Sequence, residues 1–415
     1  LNPPPSIPWP VDSIGNCTLP TLQRDPRKDG GTFRYVDIAS INRETKQIED
    51  AKELPCEDAP SRARKSIRAN DILVSTVRPN LNAVAQVPPE LDGQIASTGF
   101  AVLRPDPKIV HPRYIFYRVI TNAFINDMIA QSKGAGYPAV SDRIVAEHKL
   151  PLPPLPEQHR IVEILDQADT LRQQRRQADA LAQRILPALF QEMFGDLRRN
   201  QNDWEVSDLG ELTEIVSGIT KGRRTSATSL KEVAYLSVAN VQDAHLRMEN
   251  VKVIEASEDE IKRYRLRPDD LVLTEGGDPD KLGRGALWKG EINECIHQNH
   301  VFRVRISSPS LRPVFLSALT ASEYGKSYFL SVAKKTTGIA SINKRQLSAF
   351  PVVMPPLEIQ LSFENALVAL NKSIDDQTTS TTTLETLFQT LLHRAFDGSL
   401  TAKWREEKER ELLQK

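Results

Sequence analysis

Cysteine is scarce in this chain: Cys17, Cys56 and Cys295 are its only three in 415 residues, and no two are close in sequence. That spacing argues against a disulfide framework or a Cys-x-x-Cys zinc site, and fits a reducing cytoplasm. No apolar run approaches the roughly 18 residues that a membrane span needs. The start, Leu1-Asn2-Pro3-Pro4-Pro5, has neither the basic residues nor the apolar stretch of a secretory signal. An excess of charge of either sign is missing as well. Lys plus Arg total 54 and Asp plus Glu total 54, for a formal net charge of zero. A protein that grips nucleic acid unaided is usually basic. Any DNA binding here must therefore use charges segregated by face, or share the grip with other subunits.

Catalytic motifs are equally thin. Gly218-Ile219-Thr220-Lys221-Gly222 lacks the spacing of a phosphate-binding loop. Asn2-Pro3-Pro4-Pro5 has a proline where the Asn-Pro-Pro-aromatic motif of adenine methyltransferases stacks its aromatic on a flipped base. His297 and His300 stand near Cys295, but this spacing suits core or surface roles better than a metal site. Glu275, Asp278, Asp280 and Lys281 are separated by two glycines and a proline, which suits a tight loop presenting Lys281 and Arg284. The expectation is no catalytic site, no cofactor and no metal.

What is present is an internal repeat. Gly136-Tyr137-Pro138-Ala139-Val140-Ser141-Asp142-Arg143 parallels Gly338-Ile339-Ala340-Ser341-Ile342-Asn343-Lys344-Arg345 at an offset of 338 − 136 = 202. Pro153-Pro154-Leu155, Gln158 and Phe194 match Pro355-Pro356-Leu357, Gln360 and Phe396 at the same offset. Upstream, Tyr35 to Ala39 resembles Tyr235 to Ala239, and Ile67 to Leu73 resembles Leu266 to Val272. Trp9, Val11, Ile14 and Gly15 parallel Trp204, Val206, Leu209 and Gly210. Order is kept while the offset drifts, as loop insertions produce.

Each copy has two parts. The first, 1–152 and 197–353, mixes short apolar strands (Asp71 to Thr76, Asp270 to Thr274), polar turns and helical stretches such as Pro112 to Ile129, so a mixed α/β (α+β) domain is expected. The second, 153–196 and 354–400, opens on a proline cluster followed by Glu157 or Glu358, which suits a helix start. A three- and four-residue spacing then recurs, apolar at its ends and weak in the middle, at Arg175 here and at Gln377 in the second copy: Ile161, Ile164, Ala168, Leu171, Arg175, Ala178, Ala182, Ile185 and Leu189. The second copy gives Phe363, Ala366, Leu370, Ser373, Gln377, Ser380, Leu384, Leu387 and Leu391. This is the pattern of a coiled-coil seam. Two such helices in one chain should pack antiparallel, bringing Arg175 near Gln377. Pro187 should kink or end the first helix. Residues 401–415 read as a mixed-charge, helix-prone tail.

Two recognition-like domains alternating with two long helices resemble the specificity subunits of Type I restriction–modification enzymes. The resemblance is carried by Leu152-Pro153-Pro154-Leu155-Pro156-Glu157-Gln158-His159-Arg160-Ile161, the heptads, and Phe194-Gly195-Asp196. Met354-Pro355-Pro356-Leu357-Glu358-Ile359-Gln360, Phe396-Asp397-Gly398 and the loop Thr274 to Gly285 complete it, and together they span the chain. The resemblance implies a non-catalytic subunit reading a bipartite, asymmetric site on double-stranded DNA, with one half-site per target-recognition domain. It implies that the paired helices set the gap and dock methyltransferase (modification) subunits, expected to be two, which use S-adenosylmethionine. Restriction subunits complete the implied partners.

DNA contacts need Lys or Arg for phosphates and Arg, Lys, Asn or Gln for base edges. In copy one the candidates are Arg78, Asn80, Asn82, Lys133, Tyr137 and Arg143. In copy two they are Lys221, Arg223, Arg224, Lys281, Arg284, Lys334, Lys335 and Lys344. The run Arg62 to Arg68 is the densest basic stretch of copy one. Two other readings compete: a methyltransferase or nuclease carrying its own recognition domains, and a coiled-coil scaffold that never touches DNA.

Overall fold

The structure is a computed structural model that describes residues 8–134, 136–224, 229–278, 282–336 and 338–413; within these, the side chains of 183, 336, 371, 374–379 and 412 are not described. The chain divides into two compact units, Leu1–Ala178 with Thr378–Lys415, and Asp179–Gln377. Each unit therefore holds one α/β domain, the near half of one long helix and the far half of the other.

In the first unit, one antiparallel sheet orders its strands Thr18–Leu19, Phe100–Pro105, Ile72–Ser75 and Val84–Gln86. A second sheet orders Lys52–Pro55, Thr32–Val36, Ile95–Ser97 and Ala63–Ser66, with its middle pair parallel. The second unit repeats this order except for the last strand of the second sheet: Thr213–Ser217, Val301–Ile306, Leu271–Thr274 and Gly285–Leu287, then Lys252–Ala256, Lys231–Leu236 and Cys295–His297, again with one parallel pair. Ile72 to Ser75 and Leu271 to Thr274 are buried at every position, as befits central strands.

The copies agree bond by bond at the turn that opens these strands. Asn70 and Asp269 both sit in the left-handed region (φ 70°), where short polar side chains are tolerated. The next residues, Asp71 and Asp270, are each 1% exposed. Asp71 accepts from the Arg68 amide and pairs with Arg104 at 2.7 Å; Asp270 accepts from the Arg267 amide and pairs with Arg305 at 2.7 Å. A buried carboxylate is tolerable only with such partners.

The long helices are Leu155–Phe194, 40 residues, and Leu357–Asp397, 41 residues, each roughly 60 Å at 1.5 Å per residue. The first runs through Pro187 and on to Phe194 instead of ending there. Among the described residues no helix is long and apolar enough to cross a membrane. In the first unit Glu157 meets Thr401 (2.6 Å) and Arg172 meets Glu385 (2.7 Å), so these segments pass in opposite directions. The side chain of Gln377 lies outside the described residues, and so does its expected approach to Arg175.

The inward stripe differs from the seam expected above. Leu171, Ile185 and Leu387 are exposed (51%, 47% and 46%), while their neighbours Arg172, Leu186 and Phe388 turn inward or half inward. Aromatic anchors explain the shift. Phe388 and Leu392 enter the core of the first unit with Ile161, Leu165 and Ala168. Phe190, Phe194 and Phe363 cluster in the second with centroids 4.8–5.7 Å apart. Arg172 lies inward because its guanidinium stacks on Phe388 (3.9 Å) and pairs with Glu385.

The charged tail forms a helix, Ala402–Leu413. Its Arg405 lies over the Trp9 ring (5.1 Å) and reaches buried Glu157 (2.5 Å), which also accepts from Trp9 Nε1 (3.0 Å). The matched position in the second copy is Ile359, which, like Trp204, packs against an apolar core.

Candidate nucleic-acid interface

In both units the chain leaves the central strand into a loop that pairs with a distant hairpin. In copy one, Thr76 O accepts from the Val140 amide (2.9 Å) and Arg78 N donates to Pro138 O (2.7 Å). Ala139 in turn bridges both Val77 and Lys133. In copy two, Glu275 O accepts from the Ile342 amide (2.8 Å), and Gly276–Gly277 pairs with Ile339–Ser341, itself paired with Lys334–Thr336. The backbone frame is one ribbon built twice. Each loop closes on a left-handed residue, Asn82 (φ 45°) and Gly283 (φ 71°), before rejoining the sheet.

Different side chains are mounted on the two ribbons. Arg78 is exposed and its guanidinium lies 4.6 Å from the centre of the Tyr137 ring, which is itself 71% exposed. Asn80 is exposed at the turn Pro79–Leu81, Asn82 is half-buried, and Lys133 is exposed beside them. Arg143 sits on the short helix Asp142–Glu147, where it pairs with Glu147 (2.6 Å). In copy two Lys334 and Lys335 are exposed on the ribbon's outer strand, and exposed Lys344 opens the helix Lys344–Ser348. Gly276 is needed there, because a Cβ would meet Ala340 O at 2.9 Å.

The remaining copy-two candidates separate into bound and free. Arg223 makes a two-armed ion pair with Glu260 (both 2.6 Å) that holds the Glu260 carboxyl down at about 2, so it is held in place within its domain. Lys221 and Arg224 are exposed beside it. Arg284 is half-buried, donates to Gln242 (3.1 Å), and has a buried Nε with no partner among the described residues. Lys281 lies outside the described residues. In the basic run of copy one, Lys65 is buried with its ammonium on Phe100 O and Asp142, so that run is not simply an exposed face.

The histidines near Cys295 do different work. His297 is fully buried, with Nδ1 on Val301 O (2.7 Å), and burial pushes its pKa down to about 4. His300 is exposed and meets Glu275 (2.5 Å) at the root of the glycine loop. Among the described residues no group of three His, Cys, Asp or Glu side chains is placed to hold a metal ion.

Residues 16–178 and 201–385, one stretch per repeat, match the family described as Type I restriction modification DNA specificity domain. The chain belongs to this family. It is similar to the StySPI specificity subunit of Salmonella potsdam, 26% identical over 74% of this chain and 69% of that one. The EcoKI specificity subunit of Escherichia coli is 24% identical over the same shares. A solved chain described under complex assembly and conformational transition of the type I R-M system is 28% identical, with a TM-score of 0.65 over 96% of this chain and 99% of its own. As a type I specificity subunit, the protein has target-recognition domains, and the two ribbons are where their frames agree and their side chains diverge.

Proposed function

We propose that the chain is the non-catalytic reader of a type I restriction–modification complex, acting in the cytoplasm. Each recognition domain (1–152 and 197–353) reads one half of a bipartite, asymmetric duplex site. The helices (153–196 and 354–400), paired as an antiparallel coiled coil, hold the two readers at a set spacing and dock two methyltransferase subunits, to which restriction subunits add. The observation that carries this reading is the duplicated ribbon. One backbone frame presents Arg78, Tyr137 and Lys133 in one copy and Lys334, Lys335 and a glycine loop in the other. Identical frames with different donors are what two different half-sites require. Exposed apolar side chains on the helices, such as Leu361 and Val368 one heptad apart on the second, supply a docking face.

The test is to replace residues 1–150 with the corresponding domain of a relative and map adenine methylation in cells. One half of the methylated site should change and the other should stay. A change in both halves, or methylation with no dependence on this chain, would sink the reading.

A further inference from the structure

The first unit carries a cationic notch that the recognition ribbon does not use. A cavity of about 210 Å³ lies between the hairpin of Ile41–Asn42 and Gln47–Ile48, the end of the recognition loop at Asn82, and the first long helix at Arg172 and Arg176. Arg43 and Lys46, from the hairpin turn, line it with those two arginines. Three acids line it with these four cations: Glu44, exposed on the hairpin turn, and Glu385 and Asp169, both already engaged. Glu385 is gripped by both arms of Arg172 and lies 3.7 Å from Arg176; Asp169 pairs with Arg172 (3.1 Å) and faces Arg113 (3.7 Å). Lys46 has only a carbonyl, Asn82 O at 2.6 Å, and among the described residues neither Lys46 nor Arg43 has an acidic partner. Burial, then the nearby Arg176, Arg172 and Arg43, push the Lys46 pKa down to about 8. The notch is a concentration of positive charge short of anions.

The second copy does not repeat it. Its hairpin turn is shorter and reads Asp243-Ala244, with Ala244 taking the left-handed conformation (φ 61°) that Lys46 takes (φ 58°). At the offset of 202, Arg172 and Arg176 correspond to Ile374 and Thr378. The charge is thus a feature of one domain, beside that domain's own recognition loop.

We infer that the notch of Arg43, Lys46, Arg172 and Arg176 seats a backbone phosphate of the DNA duplex flanking the half-site read by the first domain. The inference rests on the reading of the chain as a DNA-recognition subunit. Asn82 belongs both to the recognition loop and to the notch wall, so a duplex on the loop brings its backbone to the notch. A phosphodiester is the anion present at every step of that backbone, and contact with it carries no sequence information. The notch therefore adds affinity for one side of the site without adding specificity.

The test uses the complex assembled with its methyltransferase subunits and duplexes carrying the mapped site, each with one phosphate replaced by an uncharged methylphosphonate. In wild type, one position flanking one half-site should lose about tenfold in affinity. In the Arg43→Gln, Lys46→Gln double variant that position should become silent, affinity for cognate and unrelated duplexes should fall alike, and the slope of log K against log salt should shrink by about one. Arg43→Gln alone, an exposed side chain, guards against a loop disturbed by losing the Lys46 bond and should give part of each effect. An unchanged scan and slope in both variants would overturn the inference. So would impaired subunit assembly with an unchanged scan, which would give the notch to an acidic stretch of a partner. Failure of the wild-type complex to bind its mapped duplex would overturn the functional reading itself.

Discussion

Gln158 and Gln360 make the same three hydrogen bonds in the two repeats. Gln158 accepts from the His111 amide (2.8 Å) and donates to Ile109 O (3.0 Å) and Pro153 O (2.9 Å). Gln360 accepts from the Arg312 amide (2.9 Å) and donates to Ser310 O (3.0 Å) and Pro355 O (2.8 Å). Both side chains are fully buried. Each amide ties the first turn of a long helix to the segment leading into a helix of its recognition domain, Pro112–Val119 in one copy and Pro313–Ala321 in the other.

Gln360→Ala would take their partner from the buried Pro355 carbonyl and from the part-buried Ser310 carbonyl and Arg312 amide, so we expect a loss of about 2–3 kcal/mol. Gln360→Glu should be no milder, because a carboxylate cannot donate to the two carbonyls. Urea unfolding of the full chain measures both. A midpoint unmoved by either substitution would mean that the junction is not held by this side chain.

A second expectation concerns acid. His297 titrates near 6.5 when unfolded, but burial, with Arg303 and Arg305 close by, pushes it down to about 4 in the fold. Between these values the unfolded chain holds a proton that the folded chain refuses. The contribution to stability is complete above about 6.5 and is lost as pH falls towards 4, by up to about 3 kcal/mol. Unfolding midpoints at pH 7 and pH 5 for wild type and His297→Gln should show this component only in wild type. Equal pH dependence in the two chains would refute it.

Much of this architecture can be read without coordinates, for a physical reason. The two glutamines, the Asp71 and Asp270 turns and the proline-capped helix starts are local devices, and the 202-residue offset exposes them because both copies need them. The helix faces are less legible. In the sequence Leu171 and Ile185 fit an apolar seam better than a row with Arg172 does, and only the Phe388 ring and the aromatic cluster at Phe190 decide which row turns inward. The interface is less legible still. Arg78 and Arg223 look alike in sequence, yet Glu260, 37 residues away, captures one of them. Arg43 and Lys46 acquire meaning only when a helix more than a hundred residues on supplies Arg172 and Arg176.

That difference between arginines gives a third test. Arg78, exposed and stacked on Tyr137, should cost roughly 1–3 kcal/mol of cognate DNA affinity when changed to alanine if it reads a base, with specificity relaxed at one position. Arg223→Ala should instead destabilise its own domain and leave the base preference intact. Arg284→Ala, which removes the half-buried guanidinium on Gln242, should weaken binding in the assembled complex with partner docking unchanged. Competition binding on a panel of single-base variants separates these outcomes. Unaltered binding for both Arg78→Ala and Arg284→Ala would remove these loops from the interface.

The outward apolar row of the helices makes the last test. Leu361 and Val368 lie seven residues apart on the second long helix, one heptad and hence one face, and are 38% and 64% exposed. Leu181 and Ile185, four apart on the first, are also exposed. Water should penalise such rows unless a partner covers them. Val368→Asp removes no buried contact, so folding should change by about 0.5 kcal/mol or less. A charge placed in a covered apolar patch must be desolvated, so association with the methyltransferase subunit should weaken at least tenfold, about 1.4 kcal/mol. Val368→Leu, which keeps the patch apolar, should bind as wild type does. Analytical ultracentrifugation of the chain with its partner subunit reads the difference. If Val368→Asp and Val368→Leu assemble equally well, the exposed row is not the docking face, and the partner must be held elsewhere on the chain.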